Sequence, residues 1–131
     1  MELERSALVS GHTPAAVGTC DTIGGTTYCG TVVNNTPWTM TTTETINTGP
    51  NWCNFANYGS GNIRCTQVDL GPWGSRGGSH PVDVDGFTYN YNDFYMGGVF
   101  YTRGVWIKFA SNRTIRCRDG VAGANRPWCE G

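Results

Sequence analysis

Thr36-Pro37-Trp38-Thr39-Met40-Thr41-Thr42-Thr43-Glu44-Thr45-Ile46 alternates between bulky apolar and hydroxyl side chains. Trp38, Met40 and Ile46 share one parity, while Thr39, Thr41, Thr43 and Thr45 take the other. A period of two belongs to a strand with one buried and one solvated face, so residues 36–46 predict a half-buried strand. The composition points the same way. Seventeen threonines and ten valines against three leucines favour strands over helices. Nineteen glycines and six prolines cut the chain into short pieces.

Working outward from that stretch, residues 20–29 read as two extended pieces around a Gly24-Gly25 turn. A strand is expected over 62–70, then an irregular Gly/Pro-rich loop over 71–81. Val82 and Val84 have the opposite parity to Phe87, Tyr89 and Tyr91, so Asp85-Gly86 is either a hairpin turn or a bulge at Gly86. Further strands are expected over 95–101, over 105–109 with Val105, Ile107 and Phe109 inward, and over 114–118. Seven to eight short, mostly antiparallel strands make an all-β sandwich or small barrel.

Six cysteines, all after residue 19, supply a second constraint. An even set in a small chain reads as a disulfide framework of an oxidising, extracellular setting. Zinc spacing is missing, because there is no Cys-x2-Cys pair and both histidines, His12 and His80, lie far from any cysteine pair. The connectivity is open on spacing alone. Cys20 with Cys29, Cys53 with Cys65 and Cys117 with Cys129 are favoured because each pair staples a Gly-containing loop. The fold expected is therefore a disulfide-stapled single domain over 19–131. Residues 1–18, without cysteine or aromatic, read as a flexible arm, a propeptide remnant or a tag scar.

The net charge of −1 argues against a nucleic-acid partner, and no stretch is apolar enough to span a membrane. Charge is nonetheless uneven: residues 103–131 hold six cations and two carboxylates. No nucleophile, base and orienting group assemble into a catalytic set, so the chain reads as non-enzymatic and without a cofactor. Asp83-Val84-Asp85-Gly86 followed by Asn90, Asn92 and Asp93 offers oxygen ligands, but EF-hand spacing is absent and no metal site is expected. The candidate binding surface is aromatic: Phe87, Tyr89, Tyr91, Phe94 and Tyr95 interleaved with amides, plus Trp73 on its Gly-rich loop. Asn34-Asn35-Thr36 and Asn112-Arg113-Thr114 are glycosylation sequons. Asn62-Ile63-Arg64-Cys65 and Thr114-Ile115-Arg116-Cys117 echo one another, as do the Trp-Cys pairs at Cys53 and Cys129, suggesting two similar stapled edges.

Val33-Asn-Asn-Thr-Pro-Trp-Thr-Met40, Val82-Asp-Val-Asp-Gly-Phe87, Gly104-Val-Trp-Ile-Lys108 and Ile115-Arg-Cys117 together resemble a pattern in small secreted actinobacterial β-sandwich proteins. The nearest named family is the small adaptor subunit of secreted umbrella-shaped toxin particles. That resemblance spans about residues 30–118 and implies a connector without chemistry of its own. The expectation is a secreted protein that binds another secreted protein as an adaptor or accessory subunit. The alternatives are a carbohydrate-binding module taking a glycan on the 87–95 aromatics, and a hydrolase inhibitor presenting the loop 54–64.

Overall fold

The computed structural model describes residues 20–59, 61–79, 81–120 and 125–131, and all the regular structure among them is strand. A hairpin of β1 (Asp21–Ile23) and β2 (Thr26–Tyr28) turns at Gly24-Gly25 and is closed by the Cys20–Cys29 disulfide. One six-stranded sheet runs β11 (Val99–Tyr101), β10 (Phe94–Met96), β14 (Pro127–Glu130), β13 (Thr114–Asp119), β3 (Thr31–Asn35), β8 (Ser75–Gly77). The other runs β6 (Asn62–Cys65), β5 (Ile46–Phe55), β12 (Val105–Lys108), β9 (Gly86–Thr88), β4 (Met40–Thr43), β7 (Val68–Leu70). Pairings are antiparallel except β10 with β14, β12 with β5 and β13 with β3.

The two sheets close on one core. Val32, Phe94, Ile115, Cys117 and Cys129 enter it from the first sheet, and Met40, Phe87 and Ile107 from the second. Each large apolar side chain buried in this way stabilises the fold by about 1.5–3 kcal/mol. Phe87 sits among rings, 5.7 Å from Phe94, 6.4 Å from Phe109 and 6.5 Å from Tyr89. A second, smaller core gathers Ile46, Cys53, Phe55, Cys65 and Trp106. Trp106 has the opposite parity to Ile107, so this cluster lies on the far face of β12. The second sheet is thus packed on both of its faces at β12, Ile107 facing the first core and Trp106 the second. At one edge of the sandwich Arg76 on β8 ion-pairs with Glu44, just after β4, tying one sheet to the other.

The all-β, disulfide-stapled expectation stands, and all three sequence-local cysteine pairs form. The described residues hold 14 strands rather than seven or eight, because several expected strands are divided. Residues 36–46 are not one half-buried strand: β4 covers four of them, and its threonines are buried on both faces. Thr42 shares the face of Met40, which enters the main core, and Thr41 and Thr43 are buried on the other face. Thr41 bonds Asp69, Thr42 the Val68 carbonyl and Thr43 the Thr45 carbonyl. Residues 62–70 split into β6 and β7, which pair with different partners. The loop 71–81 contains the edge strand β8. The expected 95–101 strand is a hairpin turned at Gly97-Gly98.

Asp85-Gly86 is neither a hairpin turn nor a bulge. Val84 N–H bonds Gly30 O in the first sheet's neighbourhood, and Asp85 N–H bonds Thr43 O in the second. The chain is crossing between layers there, and Gly86 opens β9 between β12 and β4. A Cβ on Gly86 would fall 2.9 Å from the Phe55 ring, so close packing of the second core demands glycine.

Candidate functional site

Cys117 on β13 and Cys129 on β14 face each other across the ladder, 1% and 0% exposed, joined by their disulfide. Strand alternation then turns their neighbours Arg116, Arg118, Trp128 and Glu130 to the outer face. Register carries that face across the sheet. Phe100 lies opposite Tyr95, Tyr95 is level with Trp128, Trp128 is opposite Arg118, and Arg118 is level with Asn35. One row of outward side chains therefore crosses five strands.

The rings in this row contact one another. Tyr95 and Trp128 stack at 4.7 Å with planes 29° apart, and Phe100 meets Tyr95 edge-on at 5.5 Å. Arg126 lies 5.4 Å over the Phe100 ring. Trp128 Nε1 donates to Glu130 Oε2 at 3.1 Å, and Arg118 stands 3.7 Å from the same oxygen. Arg116 lies opposite Glu130, in the next outward row. Beside the rings, Asn35, Thr114, Arg116, Arg118 and Glu130 line a shallow cavity of about 430 Å³. Aromatic pairs and Arg–ring contacts each hold such a surface in a fixed shape by about 0.5–1.5 kcal/mol.

Of the six residues expected to form a binding surface, the row takes Tyr95 alone. Phe87, Tyr89 and Phe94 are fully buried, so the densest aromatic run is core packing. Tyr91 is 75% exposed and Trp73 65% exposed, each away from those three rings. Phe100, Trp128 and the arginines were missed. The signal for them was in the cysteines: an inward disulfide at Cys117 and Cys129 places every neighbouring residue outward. The echo of the two Trp-Cys and Ile-Arg-Cys segments is structural. Each forms a stapled antiparallel pair, and in the β5–β6 pair Arg64 covers the Trp52 ring at 4.9 Å.

The oxygens of the Asp-Val-Asp-Gly region are directed at protein donors. Asp83 is 3% exposed and accepts from Gly30 N–H at 2.6 Å and Ser111 Oγ at 3.0 Å. Asp93 accepts from Arg103 N–H at 3.0 Å, which holds its carboxyl below the usual range. Asn90 Nδ2 donates to Thr41 Oγ1. Among the described residues no three His, Cys, Asp or Glu side chains converge on a metal position. His12, His80 and the 1–18 arm lie outside the described residues.

Burial raises the Asp83 carboxyl above its ordinary 3.8, the bonds from Gly30 and Ser111 opposing it in part. A raised acid is stabilised in its neutral form. Its contribution is full below pH 3.8 and is lost as pH climbs through the raised value. Asp83→Asn keeps an acceptor for Gly30 and removes the charge. Its melting temperature relative to the parent should be higher at pH 7 than at pH 4, measured by calorimetry. A gap that is constant or larger at pH 4 contradicts this.

The two sequons differ sharply. Asn34 is fully buried, whereas Asn112 is exposed in the turn before β13. The segment 54–64 is anchored at its base, where Asn57 exchanges two 2.9 Å hydrogen bonds with the Lys108 backbone and Ala56 N–H bonds Trp106 O, while most of its described residues stay exposed. No protein-family model, curated protein or solved structure matches the chain.

Proposed function

We propose that the protein is a secreted, non-enzymatic binding protein, an adaptor or accessory subunit of an extracellular protein assembly. The observation that carries this reading is the outward Phe100–Tyr95–Trp128 row with Arg126 and Arg118 at its flanks. Trp, Tyr and Arg are the residues that dominate protein–protein binding energy when clustered on a rigid patch. Three disulfides suit an oxidising, extracellular setting, and among the described residues no helix is long and apolar enough to cross a membrane. A connecting role is also what the resemblance to umbrella-particle adaptors implies, including a place in an antagonistic toxin particle.

Ring geometry favours protein over glycan as the ligand. Sugar stacking needs an open aromatic face. Here Tyr95 and Trp128 turn faces toward each other, and Arg126 covers a face of Phe100. The stack uses one face of each of these rings and the guanidinium one face of Phe100, which leaves a mixed aromatic and cationic surface suited to packing against side chains.

Affinity capture from native secreted material, with parent and variant proteins as bait, tests the proposal. Trp128→Ala should reduce recovery of the parent's partner by roughly 30-fold in affinity, the size of a hot-spot loss of about 2 kcal/mol. Its far-UV spectrum should match the parent's, because Trp128 lies on the outer face. A partner retained at parental affinity, or turnover of a substrate by the parent, would overturn the reading.

A further inference from the structure

Trp73 is the least comfortable residue in the fold. It sits third in Gly71-Pro72-Trp73-Gly74 with φ at +65°, a conformation that turns normally give to Gly or Asn. A bulky side chain there is strained by contact of its Cβ with the backbone, and the ring gains little burial in return, being 65% exposed. Strain kept at an exposed position is a pointer to use rather than stability.

The turn is also rigid, contrary to the flexible loop that its glycines suggest. Asn34 N–H donates to Gly74 O at 2.8 Å, and Asn34 Nδ2 to Gly71 O at 3.1 Å. Both ends of the turn are thus bolted to one fully buried residue, Gly74 to its backbone and Gly71 to its side chain. The first of these bonds continues the β3–β8 ladder one pair past Val33 and Ser75. Trp73 is the residue next to Gly74, in the turn beyond the end of β8, and so lies beside the Asn35 end of the row that begins at Phe100 without belonging to it. With strands about 4.8 Å apart, the row from β11 to β8 spans roughly 24 Å, the length of about seven extended residues.

Charge completes the description. Between the two aromatic ends lie Arg116 and Arg118 and the cavity they line, with Glu130 as the carboxylate beside them. Among the described residues Arg116 has no carboxylate within ion-pairing distance, and Arg118 reaches Glu130 only at 3.7 Å. Arg126, by Phe100, also acts on the Asp93 carboxylate, so the cationic surplus is centred on Arg116 and Arg118.

We infer that this face takes an extended acidic protein segment, its carboxylates on Arg116 and Arg118 and apolar side chains at the Tyr95–Trp128 stack and at Trp73. This rests on the proposed binding function and names the partner's chemistry. Trp73 is the anchor at the far end, held in its strained turn so that no ordering is needed on binding.

The test uses labelled poly(Glu,Tyr) as probe, read by fluorescence polarisation on the intact protein, with poly(Glu) and poly(Lys,Tyr) alongside. Poly(Glu,Tyr) should bind, at least about tenfold tighter than poly(Glu), and more weakly as salt rises. Poly(Lys,Tyr) should not bind. Arg116→Glu with Arg118→Glu should abolish binding, and Trp73→Gly should weaken it about tenfold or more while holding or raising Tm. Equal binding of poly(Lys,Tyr), unchanged affinity in Trp73→Gly, or a fall in its Tm of more than about 5 °C, which marks a structural lid, would each overturn the inference. If Trp128→Ala loses the captured partner while Trp73→Gly and the arginine variant keep it, the binding function stands and this description of its ligand fails.

Discussion

Asn34→Ala is expected to cost about 4 kcal/mol or more and to lower Tm by roughly 15 °C. Asn34 is fully buried on β3 between the layers. Its Oδ1 accepts from Thr36 Oγ1 at 2.6 Å and Tyr89 OH at 2.8 Å. Its Nδ2 donates to Trp38 O at 2.8 Å and Gly71 O at 3.1 Å. Alanine strips the Tyr89 hydroxyl and the Gly71 carbonyl of this partner where water is excluded, while Thr36 Oγ1 and Trp38 O keep their own 3.2 Å bond. Each orphaned group costs about 1–3 kcal/mol, and the lost bonds to Thr36 and Trp38 add to that. Asn34→Asp should be no better, since it keeps the acceptor but sets a carboxylate against carbonyl oxygens. Chemical denaturation of both variants checks this. A loss below about 1 kcal/mol in Asn34→Ala would show that the network is not holding the layers together.

Removing the Cys53–Cys65 disulfide, as Cys53→Ala with Cys65→Ala, should cost about 3 kcal/mol in the chain-entropy model. The contrast with Cys20–Cys29 is more informative than the value. Their loops, 12 and 9 residues, differ by only a few tenths of a kcal/mol in closure entropy. Their settings differ far more. Cys53 and Cys65 belong to the second core with Trp106 and Phe55, whereas β1 and β2 are exposed throughout. Opening the first should expose Trp106 and lower the global midpoint; opening the second should fray one hairpin. Equal losses for both double variants, with unchanged tryptophan emission, would contradict the division into two cores.

Local features of this fold were legible because they depend on neighbours in sequence. The Gly24-Gly25 hairpin and the three cysteine pairs are examples. The threonine stretch misled for a physical reason. Alternation reports that one face differs from the other, and hydroxyls that bond carbonyls line an interior as readily as they face water. Only the pairing of β4 with β7 and β9 decides which, and that pairing is non-local. The aromatic run at 87–95 misled similarly: with leucine scarce, Phe87, Tyr89 and Phe94 supply the core volume that aliphatic side chains usually supply. The outward row escaped notice because its three rings come from three strands dispersed between Tyr95 and Trp128, and Asn35 at its end lies sixty residues earlier. No sequence window contains them all.

Burial of Asn34 also bears on how the protein is made. Oligosaccharide is transferred to Asn-x-Thr in chains that have not yet folded, and Asn34-Asn35-Thr36 satisfies that rule. A sugar on Nδ2 would displace the bonds to Trp38 and Gly71 and could not fit where no surface is open. In a host with that machinery, folding and glycosylation compete for one nitrogen, and molecules that lose the race are excluded from the native state. Carbohydrate found on folded protein then belongs to Asn112, and yield in such a host tracks how quickly β3 is taken into its sheet.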